Sequence, residues 1–213
     1  MSNALQFPAA PNLPVAPNDW DARFQNQFAN ALRLYFNRLS SDLQQLSGSQ
    51  GGQRLSFPYG SFSSSATQNI AVVTNAYVVQ LDTTVFGNGV SLVDGSKIRV
   101  DREGIYNLQF SIQLSSDDNQ PQDSDIWLRQ NGTDVPGSNS RFGLVAHKNP
   151  GNPSHLIAAL NVFASMNVGD YLQLAWSATS TNISIADYAA GTGPTRPAIP
   201  SVITTLSFIS ART

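Results

Sequence analysis

From Asn18 to Leu46 the large apolar residues return at Trp20, Phe24, Phe28, Leu32, Tyr35, Leu39, Leu43 and Leu46. Every step is three or four residues, about 3.7 on average, which is the period of a helix and not the two of a strand. That period lies nearer to an eleven-residue repeat than to the 3.5 of a left-handed coiled coil, so a bundle built on it would be almost straight. Asn18 or Asp19 is placed to cap the start, Asp21 sits favourably near the positive end, and Gly48 ends the pattern. A stripe of bulky aromatics needs a partner. It can lie on the protein's own sheet or against other copies of the same stripe. The second is preferred, because a Gly/Ser run (SGSQGG) separates the helix from the rest of the chain and a lone helix of this length is marginal in water.

Past Leu55 the pattern changes to short apolar runs punctuated by Gly, Pro and Asn. GIYNLQFSIQL (104–114) alternates cleanly, with Tyr106, Leu108, Phe110, Ile112 and Leu114 on one side and Ile105, Asn107, Gln109, Ser111 and Gln113 on the other. That is a strand with one face in a core. Ile70–Asp82 is rich in β-branched residues and reads as a strand. Asp94-Gly95 and Asn131-Gly132 are hairpin turns, the latter inside DIWLRQNGTDVPGS. RFGLVAH, HLIAALNVFASM, DYLQLAWSAT, NISIADY and SVITTLSFI complete about ten strands without helices between them. The expected fold is mainly β, an antiparallel jelly-roll sandwich of about ten strands preceded by an extended arm and one stalk α-helix.

The arm is residues 1–17, where Pro8, Pro11, Pro14 and Pro17 fall at every third position. Polyproline II repeats every three residues, so the four rings would line one edge of a rod. Leu5 and Phe7 precede them, and Leu13 and Val15 stand between them. A leader without fixed structure is one reading. An anchoring arm that adds to a larger partner is the other, and the regular apolar residues favour it. The organisation is then arm 1–17, helical stalk 18–47, Gly/Ser linker 48–54 and head 55–213. Pro194, Pro197 and Pro200 repeat the same spacing and read as a rigid crossing loop before the last strand.

Composition narrows the function. There are 26 charged side chains against 59 Ser, Asn and Gln, the net charge is −2, and no basic run could neutralise a row of phosphates, which argues against nucleic acid as a partner. No segment is long and apolar enough to span a membrane, and the N-terminus lacks the basic and apolar regions of a secretory signal. There is no cysteine, hence no disulfide and no thiolate site. This composition fits cytosolic synthesis and then assembly into a particle.

Chemistry is sparse. Gly-x-Ser-x-Gly, a phosphate-cradling glycine loop and His-Glu-x-x-His do not occur, so no catalytic residue, cofactor or metal is expected. His147 and His155 flank the turn KNPGNP and read as solvated. The acidic stretch with Asp117, Asp118, Asp123 and Asp125 invites calcium, but its spacing is not that of an EF-hand and a solvated hairpin loop is preferred. Trp127, Phe142, Trp176 and Tyr188 could form a platform for sugars. Their place within strand patterns favours core packing instead.

Three motifs carry a family resemblance. DREGIYNLQFS enters its strand through Gly104, Tyr106, Leu108 and Phe110; NVFASMNVGDYLQLAW places Val168, Gly169, Asp170 and Tyr171 at a turn into a late strand; and SVITTLSFI closes the chain. In this order they resemble the jelly-roll head shared by tumour necrosis factor and the globular head of complement. The resemblance spans about 140 residues, leaves the arm and helix outside, and implies a homotrimer with the closing strand near its axis. The chain lacks the collagen stalk of the complement proteins. Arm, stalk helix, joint and head together resemble virion structural proteins of tailed bacteriophages. This second resemblance implies a non-enzymatic fibre or decoration protein of the virion, docked to other virion proteins of head, neck or tail. Its anchor would be Leu5, Phe7, Pro8, Pro11, Leu13, Pro14 and Pro17. Its trimer stalk would be Trp20, Phe24, Phe28, Leu32, Tyr35, Leu39, Leu43 and Leu46. The alternative is a receptor-binding tail protein that recognises host surface glycan through its head.

Overall fold

The computed structural model describes residues 8–48 and 56–212, so Leu5, Phe7 and most of the Gly/Ser linker lie outside the described residues. The chain divides into two compact units, Met1–Ser56 and Phe57–Thr213.

The first unit holds one helix, α1 (Ala22–Ser47). It begins later than the apolar stripe suggests. Asp21, and not Asn18 or Asp19, is the cap: its backbone is extended and its carboxylate accepts from the Arg23 amide at 2.8 Å. Asp21 is the last short polar residue before the periodic run, and its carbonyl accepts the first helical bond from Gln25. Trp20 therefore precedes the helix. Gly48 ends it in extended backbone, not in a left-handed turn.

The second unit carries the strands β1 (Tyr59–Ser64), β2 (Gln68–Asn69), β3 (Tyr77–Val78), β4 (Thr83–Asn88), β5 (Val90–Val93), β6 (Lys97–Val100), β7 (Gly104–Ser116), β8 (Gln122–Gln130), β9 (Thr133–Asp134), β10 (Ser140–Leu144), β11 (Ser154–Met166), β12 (Tyr171–Ala178), β13 (Ile183–Ile185), β14 (Gly191–Thr192), β15 (Thr195–Arg196) and β16 (Val202–Ser210). Ten of them have four residues or more, the number expected. One sheet has the order β4-β1-β16-β7-β11, with β13 beside the end of β7 and β2 beyond it; the other runs β5-β6-β12-β8-β10, with β3 on β12 and β9 on β8. If β1, β6, β7, β8, β10, β11, β12 and β16 are counted one to eight, the two sheets read 1-8-3-6 and 2-7-4-5. Every named pairing is antiparallel, and that order is two interlocked Greek keys. The second unit is a jelly roll.

The motifs have local causes. Tyr106, Leu108, Ile112 and Leu114 of β7 are buried between the sheets, as their alternation requires. Gly104 admits no side chain, since a Cβ there would run into the Phe208 ring. Tyr106 meets that ring edge-on at 5.6 Å and donates its hydroxyl to the Arg102 carbonyl at 2.7 Å. Gly169, at φ +84°, turns the chain into β12. Asp170 then accepts from the Asn167 amide at 2.7 Å and from Asn131 Nδ2 at 2.8 Å. Burial pushes the Asp170 carboxyl up, and these donors outweigh it to hold the group below the usual range. Both hairpin turns form as expected, with Asp94-Gly95 and Asn131-Gly132 all at positive φ, the combination a two-residue turn between twisted strands requires.

Two expectations fail. Of Ile70–Asp82 only Tyr77–Val78 is strand. The chain reverses at Thr74, with φ +64°, whose amide donates to the Ala178 carbonyl at 3.0 Å, and the Tyr77 hydroxyl accepts from the Ala71 and Val72 amides, so this bonding overrides β-branched propensity. The region of Pro194 and Pro197 is a small ribbon of β14 and β15, not an uninterrupted crossing loop.

Candidate interaction surfaces

The outer face of the first sheet is built by register. Across β11, β7 and β16 the outward rows are Ala159–Ser111–Ile203, Asn161–Gln109–Thr205 and Phe163–Asn107–Ser207, with Ile157 beside Gln113 at one end. No Asp, Glu, Lys or Arg occurs in these rows. Ile157, Phe163 and Ile203 are exposed, and the Gln109, Ser111, Ile203 and Thr205 side of the face encloses a hollow of about 210 Å³. Amid them the Asn107 Oδ1 is buried without a hydrogen-bond donor. A face without charge, on which Ile157, Phe163 and Ile203 stand exposed among uncharged polar side chains, has the charge depletion of an interface core. Sequence alternation marked this side of β7 as polar. It could not show that Phe163 and Ser207, some 60 and 100 residues away, would flank Asn107.

The first unit presents the second surface. No residue of α1 is buried. Phe24, Phe28, Leu32, Tyr35, Leu39 and Leu46 are half-buried, whereas Leu43 and Trp20 are exposed, Trp20 to 79%. Phe24 and Phe28 stack at 6.0 Å, one helical turn apart. Of the expected anchor, Pro8 and Pro11 line a groove of about 230 Å³ with Ala31, Leu34, Tyr35 and Arg38 of the same unit. Pro14 is half-buried, while Leu13, Val15 and Pro17 are exposed.

The polar residues singled out in the sequence are distributed among separate partners. His147 is not solvated: its side chain is 14% exposed and Nδ1 lies 3.0 Å from both the carbonyl and Oδ1 of Asp117. His155 meets the Tyr188 hydroxyl at 3.0 Å. Asp118 accepts from Ser180 Oγ at 2.6 Å, the largest cause holding its carboxyl below the usual range, and also from the Gln120 amide. Asp123 and Asp125 belong to β8, so the acidic stretch is not one loop. Among the described residues no group of three or more His, Cys, Asp or Glu gathers where a metal could sit. No helix among them is long and apolar enough to cross a membrane. The aromatic quartet separates as well. Trp176 is core and Phe142 packs against it, but Trp127 points outward from β8 and is no core residue.

No family model matches the chain, and no curated protein matches it. Among solved structures, the globular domain of a zebrafish complement 1qA protein is similar at 12% identity with a TM-score of 0.42, over 73% of this chain and 99% of that one.

Proposed function

We propose that the protein is a non-enzymatic, self-associating display module: a homotrimer of jelly-roll heads, held by a bundle of α1 helices and docked to a tailed-bacteriophage particle through the proline-rich arm. One property carries this reading, that each unit leaves exposed apolar side chains open on a surface without charge, the helix stripe in one and Ile157, Phe163 and Ile203 in the other. A 26-residue helix without a buried residue is marginal alone, and packing its Phe24–Leu46 stripe against two copies gives it the tertiary contacts that stabilise helices in proteins. The face around Ile157, Phe163 and Ile203 does the same for the head. Trimer symmetry accords with the motif resemblance, and the arm–stalk–head order is the support for a virion role.

Threefold symmetry makes anchoring concrete. Three arms give three weak contacts, each strengthened by the effective concentration its neighbours create, so the set holds far better than one arm does. Removing residues 1–17 is therefore expected to leave the folded, associated protein intact and to abolish its incorporation into particles, measured by complementation with the truncated gene. Normal incorporation of the truncated chain would remove the anchoring role.

A further inference from the structure

We propose that the cleft on the outer face of the second sheet, lined by Trp127, binds a neutral saccharide. The cleft measures about 400 Å³ and is bordered by Asp125, Trp127, Asp134, Asn139 and Ser177, with the Val135–Gly137 loop as its wall. This volume falls within the ~300–1,000 Å³ of small-ligand sites.

The site is built rather than incidental. Asp125 and Trp127 alternate outward on β8, and register puts Ser177 of β12 and Arg141 of β10 on either side of Asp125. The wall is tied to the same strand: the Val135 amide donates to the Leu128 carbonyl at 2.9 Å, and buried Ser138 accepts from the Leu128 amide at 3.0 Å while donating to the Val135 carbonyl at 2.7 Å. A wall held this way loses little conformational freedom when a ligand arrives.

The lining selects the ligand. Its carboxylates are compensated, Asp125 by Nε and Nη2 of Arg141, each at 2.9 Å, and Asp134 by Arg129 Nε at 2.8 Å. Two acids and two guanidiniums leave no net charge to attract an ion. Trp127 is oriented by its own bond to Asp134, Nε1 to Oδ1 at 2.8 Å. Asp134 is held below the usual carboxylate range, by Arg129 first and by Trp127, and so stays an acceptor across neutral pH. A ligand must then offer an apolar face to the indole and hydroxyls around its edge to the carboxylates, amide and Ser177. A pyranose ring has that distribution, with C–H groups on one face and hydroxyls at the rim. This site lies within one head and holds whether or not heads associate.

The test uses the full chain on an array of neutral and acidic glycans, with hits titrated calorimetrically as free oligosaccharides. Neutral glycans are expected to bind, Trp127→Ala to lower affinity at least tenfold, and Trp127→Phe to retain part of it. Asn139→Ala changes an exposed side chain and serves as the variant that keeps its fold; it is expected to weaken binding several-fold. Val85→Ala, an exposed position of β4 on the other sheet, should change nothing. Silence across the array, binding confined to acidic glycans, or affinity unchanged in Trp127→Ala or Asn139→Ala would overturn the proposal.

Discussion

Replacing Phe28 and Leu32 together by aspartate is expected to dissolve the stalk. In a three-helix seam the change buries six carboxylates where six apolar side chains stood, and each lost side chain forfeits ~1.5–3 kcal/mol of transfer free energy before any charge is desolvated. A loss of association of at least 100-fold, about 2.7 kcal/mol, is the lower bound expected. Without its partners α1 is a 26-residue helix with no buried residue, and such helices fray in water. Far-UV circular dichroism should therefore lose the helical signal while the β-sheet melting transition stays where it was. An unchanged helical signal would contradict the bundle. A lowered head transition would mean that α1 packs on its own β unit.

The second large effect lies in the head. Tyr106→Ala removes a fully buried ring that meets Phe208 edge-on and closes onto the Arg102 carbonyl. Deleting an aromatic side chain from such a site costs ~3–5 kcal/mol, through lost transfer energy and the cavity left behind. In a domain of this size that lowers the melting temperature by roughly 6–20 °C. Tyr106→Phe, which keeps the ring and loses one hydrogen bond to a carbonyl, should cost only about 1–2 kcal/mol. Calorimetry on the two variants separates the contributions, and equal losses would mean that the hydroxyl, not the ring, holds this corner.

Both effects rest on features that local sequence carries well. The helical stripe, the alternation of β7, the Asp-Gly and Asn-Gly turns and the Gly104, Tyr106 and Gly169 positions are short-range signals, and the jelly roll emerges from them once strands pair. What failed was decided at long range. The Val72-Val73 run has the residues of a strand, but the chain reverses at Thr74, whose amide is taken by the Ala178 carbonyl over a hundred residues away. Trp127 and Trp176 look alike in sequence; only the register of β8 against β12 places one outside and the other in the core. The uncharged face is assembled from β7, β11 and β16, whose members come from distant parts of the chain. Asn107 illustrates the limit: alternation marks it as outward, and only the folded sheet shows its oxygen covered and lacking a donor.

Stalk and head both call for association in threes. Sedimentation equilibrium of the full-length chain at micromolar concentration tests it most directly. The predicted mass is three times the 22.9 kDa protomer, about 69 kDa, without a concentration-dependent fall to the monomer in that range. A single species at 22.9 kDa would rule out the trimer.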